Sequence, residues 1–293
     1  MSMMILGIQP IISCNFFTNH ETSKDMVLWS KKRRRRRRIV CLSLSSDNSS
    51  YNAGNKRKVV EHICLLKAKD NLSEEEEKDM LDYLYTSQYH MRGIVAISVG
   101  RTTDQNPENY THGMCMRLHR KEDLTKFYES PFYLNILKEH VTPHCHDWLY
   151  VDFEDEVNND ILAIFRKGEE FNYGVEYVLL IKFLESALNG PADDALASLA
   201  NLVVQFPSLI VQSTQGRNFN PKNKEYTHGV LIRFRSVEAQ QIFLDSSEYK
   251  HIWGSKLQPL CQKTLSFHFP IDPHNTSNTA NNGNTNSCFI TIA

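Results

Sequence analysis

Apolar and polar positions alternate in short runs along this chain, and the first of these runs has apolar residues on both faces. In the segment 59–67, Val60 and Leu66 alternate with Ile63 and Leu65. A period of two indicates a β-strand, because successive side chains of a strand point to opposite faces. The segment is therefore predicted to be a strand that is buried on both sides.

The same succession of signals occurs twice and predicts two copies of a β-α-β-β-α-β unit. In the first copy the predicted strands and second helical region are 59–67, 94–100, 110–118, 147–153 and 121–140. In the second copy they are 175–183, 209–216, 226–234, 264–269 and 236–257. This order is the split βαβ arrangement of ferredoxin-like folds.

Local signals place several helix ends. Ser73 and Glu76 have the spacing of a capping box, which predicts the start of the first helix. In the second copy, Gly190 precedes Pro191, a residue favoured in the first turn of a helix. The dipeptide Ser130-Pro131 lies inside a helical segment, so we predict a break in the second helical region of the first copy.

A motif repeat indicates that the two units are copies of one another. Gly100-Arg101 is followed ten residues on by Tyr-Thr-His-Gly at 110–113, and Gly216-Arg217 is followed ten residues on by the same four residues at 226–229. The offset between the copies is 116 residues. A fixed period of this length indicates a duplicated domain and not a solenoid.

The two-sided strand predicts how the copies assemble. Two helices cover only one face of a four-stranded sheet, so the other apolar face needs a partner. The second copy is covalently available. We therefore predict an α+β fold in which two ferredoxin-like units form an intramolecular dimeric α+β barrel. Eight strands leave an interior that holds side chains or one small ligand.

Composition narrows the function classes. The 293 residues are 41% hydrophobic, which is usual for a globular protein. Of the 33 basic residues nine lie in 1–41, against two of the 34 acidic ones, so the remainder has 24 basic and 32 acidic residues and a net charge of −8. An acidic body disfavours nucleic-acid binding. No apolar run reaches the roughly 18 residues of a spanning helix, so we expect no membrane insertion.

Cysteine usage and the chain ends complete the domain scheme. The seven cysteines form no Cys-x-x-Cys pair, which favours buried thiols in a reducing compartment. The basic, acid-poor N-terminal segment resembles a plastid transit peptide, with a nuclear import signal or a solvated basic tail as the alternatives. The predicted divisions are a transit peptide and linker at 1–57, domains at 58–153 and 174–271, a linker at 154–173 and a disordered tail at 272–293. We expect a chloroplast location, with peroxisome, cytoplasm or nucleus as alternatives.

Four features together resemble a known family, the plant stress-responsive dimeric α+β barrel (A/B barrel) domain. They are the opening His-Ile-Cys-Leu-Leu-Lys at 62–67, the Gly-Arg that closes the second strand, the Tyr-Thr-His that opens the third, and the Ser-Pro-Phe-Tyr break at 130–133. The resemblance covers about residues 58–153 and 174–271. Members with one copy form homodimers through their sheet faces, and this chain is similar to the tandem variety.

The resemblance implies a stress- or defence-associated role. One branch of the family is a cofactor-free polyketide cyclase that uses a histidine base and a tyrosine partner. In this chain the histidine position is Tyr133 in the first copy and Tyr249 in the second, and the tyrosine position is Phe127 and Phe243. A neutral tyrosine is a poor base near pH 7. Both copies have therefore lost the catalytic pair.

Three histidines are the only plausible bases for such an enzyme: His62, His112 and His228. We predict that His62 faces the barrel interior with Tyr177 as its counterpart. His112 and His228 match an inward-facing histidine of the family, and are read either as pocket residues or as histidines that satisfy a loop carbonyl. The other predicted pocket residues are Tyr110, Tyr226, Tyr133 and Tyr249.

Two segments of the chain are considered as metal-binding sites. Some family members hold Mg²⁺ on backbone carbonyls where the first helix ends, which corresponds here to Val203, Phe206 and Leu209. Free carbonyls at a helix end can bind a cation in principle, but no carboxylate is supplied. The second hypothesis concerns the group His140, His144, Cys145 and His146, in which His144 and His146 have a spacing that a transition metal could use, without an obvious third ligand.

Three hypotheses follow. The first is a non-catalytic stress or defence protein whose barrel binds a small apolar ligand or a protein partner. The second is a cofactor-independent polyketide cyclase- or monooxygenase-like enzyme. The third is a self-associating stability protein, in which the internal pseudo-dimer forms a further homo-oligomer.

Overall fold

The computed structural model of the chain describes residues 56–102, 104–158 and 174–271. The predicted transit peptide (apart from residues 56 and 57), the C-terminal tail and residues 159–173 of the predicted linker lie outside these ranges. Two repeats of one fold are present, and each follows the β-α-β-β-α-β order that the sequence predicts.

The first repeat forms an antiparallel sheet in the order β2-β3-β1-β4. A π-helical turn over Leu137–Val141 extends its last helix. β4 continues to Asn158, beyond the predicted end of the domain. The elements are β1 (Lys56–Ala68), α1 (Glu74–His90), β2 (Ile94–Arg101), β3 (His112–Leu118), α2 (Lys121–Glu129), α3 (Pro131–Ile136) and β4 (Cys145–Asn158).

The second repeat has the equivalent antiparallel order, β6-β7-β5-β8. A π-helical turn at Trp253–Leu257 and a 3₁₀ turn at Gln258–Leu260 lead into the last strand. The elements are β5 (Gly174–Phe183), α4 (Pro191–Val203), β6 (Ile210–Arg217), β7 (His228–Phe234), α5 (Val237–Asp245), α6 (Ser247–Ile252) and β8 (Cys261–Ile271).

The predicted start of the first helix and the predicted break at Ser130 are both present in the structure. The Ser73 hydroxyl accepts from the Glu76 amide while the Glu76 carboxylate accepts from the Ser73 amide, so the capping box is closed. The helical region of the first repeat breaks at Ser130, whose side chain caps α3. The second repeat breaks in the same place, at Ser246, although no proline marks it. That second break was not predicted.

Each sheet separates two hydrophobic cores. One face packs against the helices of its own repeat. The other faces of the two sheets meet in a shared core, which includes Ile63 and Leu65 of β1 and Val178 and Leu180 of β5. β4 lies beside β6 and β2 beside β8, so the eight strands surround this shared core. The predicted intramolecular barrel is confirmed in its fold.

The glycine of the repeated Tyr-Thr-His-Gly motif is explained by this packing. Gly229 faces the shared core, and a Cβ atom there would lie 2.9 Å from ring carbons of Phe153 in the other repeat. Gly113 is in the equivalent position, where a Cβ atom would lie 2.7 Å from ring carbons of Phe267 and Phe269. Real Cβ contacts are not this short, so only glycine lets the facing sheet approach.

Two cross-strand ion pairs lie inside the barrel, one in each repeat. Arg117 Nε donates to Glu61 Oε1 at 2.9 Å, and Arg233 Nε lies 3.9 Å from Glu176 Oε1. The glutamate and arginine side chains of both pairs are at most 2% exposed. A buried charge is costly without a partner. Arg117 and Arg233, which are separated by the 116-residue offset of the repeat, therefore lie in the interior of the molecule.

Candidate functional site

A cleft with a volume of about 470 Å³ lies between the first repeat and the β6–β7 loop of the second repeat. The first repeat supplies most of its wall, and residues 222–225 of the second repeat form part of its rim. The volume falls in the range of small-molecule sites. The aromatic residues of the wall are Tyr110, Tyr128, Tyr133, Trp148 and Tyr150.

Behind this wall lies a buried polar network around Asp152. His62 Nδ1 is 2.7 Å from Asp152 Oδ1, and the Tyr128 hydroxyl donates to Asp152 Oδ2 at 3.0 Å. Asn220 Nδ2, from the second repeat, donates to Asp152 Oδ2 at 2.6 Å. His62 is fully buried, Asp152 is 1% exposed and Asn220 5% exposed. The carboxylate is thus surrounded by three donors.

The Asp152 carboxylate determines which nitrogen of the His62 imidazole donates the hydrogen bond. A carboxylate accepts hydrogen bonds, so the Nδ1 of His62 carries a proton. Among the described residues Nε2 has no hydrogen-bond partner. The imidazole is enclosed by the rings of Phe127, Tyr128 and Tyr150, with centroids 5.4 to 5.6 Å away. The arrangement is a base–orienter pair, which the sequence did not indicate.

The predicted direction of His62 and Tyr177 is wrong. Both were expected to face the barrel interior, but His62 lies on the face of β1 that also carries Cys64, which packs against the helices. Tyr177 lies on the corresponding face of the second repeat. The period of two shows which residues share a face of β1, but it does not show which face meets the helices. In the structure the helices cover the face that carries His62.

Tyr133 occupies the wall of the cleft beside Phe127, and their ring centroids are 3.9 Å apart. The Tyr133 hydroxyl is buried beside the Tyr150 phenol and has no other hydrogen-bond partner within the described ranges. Burial and the nearby Tyr150 phenol raise the pKa of Tyr133 well above its usual value. Burial and Asp152 likewise raise the pKa of Tyr128. Both phenols are therefore neutral donors and not bases at physiological pH.

The second repeat does not reproduce the network. At the positions that correspond to His62, Asp152 and Tyr128 it has Tyr177, His268 and Leu244, and the first repeat has Asp104 at the position that corresponds to Asn220. His268 Nε2 is 3.6 Å from Asp104 Oδ2, and Asp104 is 57% exposed. Tyr177 and Tyr249 lie in the helix-side core of this repeat. The two halves of the barrel are therefore chemically different.

His112 and His228 hold the start of their strands. His112 Nδ1 lies 2.8 Å from the Thr111 hydroxyl, and its Nε2 lies 3.1 Å from Glu77 of α1. His228 Nδ1 lies 3.0 Å from the Thr227 hydroxyl, and its ring packs edge-on against Phe183. Burial lowers the pKa of His228 to about 4. Neither histidine lines the cleft, so the geometry favours the structural interpretation of both.

Of the remaining predicted pocket residues, Tyr110 lines the cleft and Tyr226 does not. Tyr110 lines the cleft, and Lys67 Nζ lies 4.7 Å from the centroid of its ring. Tyr226 is 1% exposed, and its hydroxyl donates to Glu108 at 2.5 Å. The Tyr226 side chain joins the two repeats and does not line the cleft.

The backbone carbonyls that were predicted to bind Mg²⁺ already accept hydrogen bonds. Within the described ranges, no group of three or more His, Cys, Asp or Glu side chains is placed to hold a metal ion. The carbonyls of Val203, Phe206 and Leu209 accept backbone amides at 3.0 to 3.1 Å. Mg²⁺ binding at these carbonyls stays a prediction. His140 is 2.8 Å from Asp79 and stacks on Tyr83.

Residues 60–155 and 175–271 each match the domain described as the Stress responsive A/B Barrel Domain. The chain belongs to this family. A curated relative, a stress-response A/B barrel domain-containing protein of Arabidopsis thaliana, is 23% identical over 216 residues. The match covers 73% of this chain and 79% of that protein.

Solved structures share the fold of this chain at low sequence identity. An anthrone oxidase-like protein has a TM-score of 0.51 at 9% identity, covering 74% of this chain and 92% of its own. A monooxygenase candidate from Fusobacterium nucleatum has a TM-score of 0.50 at 6% identity, covering 74% and 93%. At these identities the likeness shows the fold alone.

None of the helices that the structure describes is long and apolar enough to cross a membrane.

Three site residues of this A/B barrel chain were missed from the sequence: Asp152, Tyr128 and Asn220. Asp152 is the one acidic residue within the otherwise apolar run 148–153, which was an available signal. Its pairing with His62 follows from the register of β1 against β4. Asn220 lies in a polar loop of the other repeat, where nothing local indicates an inward side chain.

Proposed function

We propose that the chain is a stress-response A/B barrel protein that binds a small aromatic ligand in the cleft of its first repeat without catalysis. The observation that carries the proposal is the wall of tyrosine rings and Trp148 around a volume of about 470 Å³. Planar aromatic ligands stack favourably on such rings. The aromatic wall is combined with charged and amide side chains, which are Asp147, Lys222, Asn223, Lys224 and Glu225, and such polar groups can orient a ligand.

The polar groups of the cleft indicate what the ligand carries. Apart from the neighbouring Tyr150 phenol, the buried Tyr133 hydroxyl has no hydrogen-bond partner within the described part of the chain. Buried polar groups are normally satisfied, and an occupant of the cleft would supply the partner. The proposed ligand is therefore an aromatic compound with at least one hydroxyl or carbonyl oxygen.

The burial of His62 supports binding over catalysis. Its Nε2 is enclosed and its side chain has no exposed surface. A general base must come within hydrogen-bond distance of the proton that it removes. With Tyr133 and Phe127 in the positions of the family's catalytic pair, no histidine lines the cleft among the residues that the structure describes.

Fluorescence of the full chain tests the proposal, because Trp148 lines the cleft. We expect 1-naphthol to quench the emission saturably, and Trp148→Phe to remove the effect while Trp253→Phe keeps it. Tyr133→Phe should weaken 1-naphthol binding about tenfold, as for one buried hydrogen bond, and leave naphthalene binding unchanged. Tyr249→Phe, at the equivalent position of the second repeat, is the matched control. Quenching that is unsaturable or indifferent to Trp148 would contradict the proposal.

A second candidate function is a cofactor-independent cyclase- or monooxygenase-like activity, and the His62–Asp152 pair is the specific observation that favours it. An imidazole oriented by a carboxylate is a recurring general base. Turnover of a tetraketide thioester that is lost in His62→Ala and in Asp152→Asn, but kept in His112→Ala and His228→Ala, would establish this function in place of simple binding.

A further inference from the structure

The loop between β6 and β7 of the second repeat is built into the site of the first repeat. Besides its bond to Asp152, Asn220 Nδ2 lies 2.9 Å from the Tyr128 hydroxyl, to which it donates. Tyr128 lines the cleft, so one amide group contacts both the carboxylate and the cleft wall. Asn220 is 5% exposed and is enclosed at this junction.

The loop is held in this conformation by its own hydrogen bonds. The Asn218 side-chain oxygen accepts from the amides of Asp152 at 3.1 Å and of Asn220 at 2.9 Å. The Phe219 amide donates to the Asp152 carbonyl at 2.8 Å. The Asn220 side-chain oxygen accepts from the Lys222 amide at 2.9 Å. Consecutive loop residues therefore dock on Asp152, and the Asn220 side chain is oriented before any ligand arrives.

The equivalent loop of the first repeat, as far as the structure describes it, meets the second repeat through an exposed carboxylate and not through a buried amide. Asp104, which corresponds to Asn220, is 57% exposed and lies 3.6 Å from His268. Leu244 stands where the first repeat has Tyr128, so the second repeat has no hydroxyl at that position for such a loop residue to hold. The pseudo-symmetry of the barrel is broken at the residues that shape the cleft.

We propose that the two repeats, as far as the structure describes them, form one composite ligand site, in which Asn220 of the second repeat is a positioning residue for Tyr128 and Asp152 of the first repeat. Asn220 fixes the Tyr128 ring as the cleft wall and keeps Asp152 directed at His62. The aromatic occupant is the one proposed above, so this part of the inference rests on the proposed function. The hydrogen-bond geometry around His62 does not depend on any ligand.

The test compares Asn220→Ala and Asn220→Asp with Asp104→Ala, the matched control from the equivalent loop, in the full chain. The first readout is the proton NMR signal of the His62 Nδ1–H, which a hydrogen bond to a carboxylate moves downfield and burial protects from exchange. The second is the affinity and the stoichiometry for 1-naphthol. Circular dichroism establishes that each variant is folded.

We expect both Asn220 variants to lose the His62 proton signal or shift it upfield, and to bind 1-naphthol about tenfold more weakly. Asn220→Asp keeps the shape but places a second carboxylate beside Asp152, so its effect should be at least as large. Asp104→Ala should match the wild type in both readouts, with one probe bound per chain.

Other outcomes separate the two proposals. An unchanged His62 signal in folded Asn220 variants would overturn the positioning role, even if 1-naphthol binds. Two equivalent probe molecules per chain would overturn the single composite site. If the signal is lost in the Asn220 variants while the wild type binds no probe, the positioning role of Asn220 stands and the proposed ligand-binding function fails.

Discussion

Glu61 of the first repeat accepts a hydrogen bond from the Thr214 hydroxyl of the second repeat at 3.1 Å. The bond is reciprocated by pseudo-symmetry, since the Ser98 hydroxyl of the first repeat donates to Glu176 of the second at 3.2 Å. Each repeat therefore supplies a buried carboxylate, and each also supplies the hydroxyl that donates a hydrogen bond to the carboxylate of the other repeat. The two halves complete each other's polar interior, besides burying each other's apolar faces.

Thr214→Val tests the first of these contacts. Valine has nearly the same shape but leaves Glu61 without one donor, and a hydrogen bond to a charged group contributes about 1.5–3 kcal/mol. We expect the free energy of unfolding, measured in urea, to fall by about that amount. Ser213→Ala, on the opposite face of the same strand, is the control. An equal loss in both variants would mean that the hydroxyl of Thr214 has no special role.

Glu176 predicts a pH dependence of stability. Burial raises its pKa to about 7 from an ordinary value of 4.5, although Arg233 opposes the shift. Because the folded-state pKa is above the unfolded value, the contribution to stability is fully present below about pH 4.5 and is lost as the pH rises through 7. The full effect is on the order of 3 kcal/mol.

Glu176→Gln removes the titration and keeps an oxygen for Ser98. Unfolding by urea at pH 5 and pH 8 should show that the wild type loses stability over this interval relative to Glu176→Gln. The exposed Glu129→Gln serves as control and should follow the wild type. Parallel pH profiles of the wild type and Glu176→Gln would refute the assignment.

Gly229→Ala tests the close approach of the sheets. The added methyl group would lie 2.9 Å from the Phe153 ring of the other repeat, and overpacking of a core costs about 1–3 kcal/mol. We expect a lower thermal midpoint. Gly254→Ala is the matched control, because a Cβ atom there has no neighbour within 4 Å. A Gly229→Ala protein as stable as the control would show that the sheets are less closely packed than described.

The isolated first repeat, residues 56–158, should not be a stable monomer. Its shared-core face includes Leu65, Val151 and Phe153, each fully buried in the intact chain. Exposure of this face removes the apolar burial that stabilises the fold. We expect self-association or loss of cooperative unfolding in sedimentation and denaturation experiments. Addition of residues 174–271 should restore a one-to-one folded pair.

The local parts of the fold were predictable because their signals are local. Ser73 and Glu76 form a capping box within one helical turn, and Ser130 ends one helix and caps the next. The Ser246 break was missed because its repeat lacks the proline that marks the first. The duplication was visible because both copies keep the same motif at one offset.

The sequence by itself determined the two-copy α+β architecture and the need for β1 to be covered on both faces, since hydrophobic periodicity and an internal repeat are properties of the chain. Only the tertiary structure decided which face of β1 meets the helices, and therefore that His62 packs beneath them. It also decided that Asp152 meets His62 across 90 residues of sequence, and that Asn220 meets Asp152 across 68. Strand register and the approach of one repeat to the other depend on the packing of the whole molecule, which no local pattern encodes.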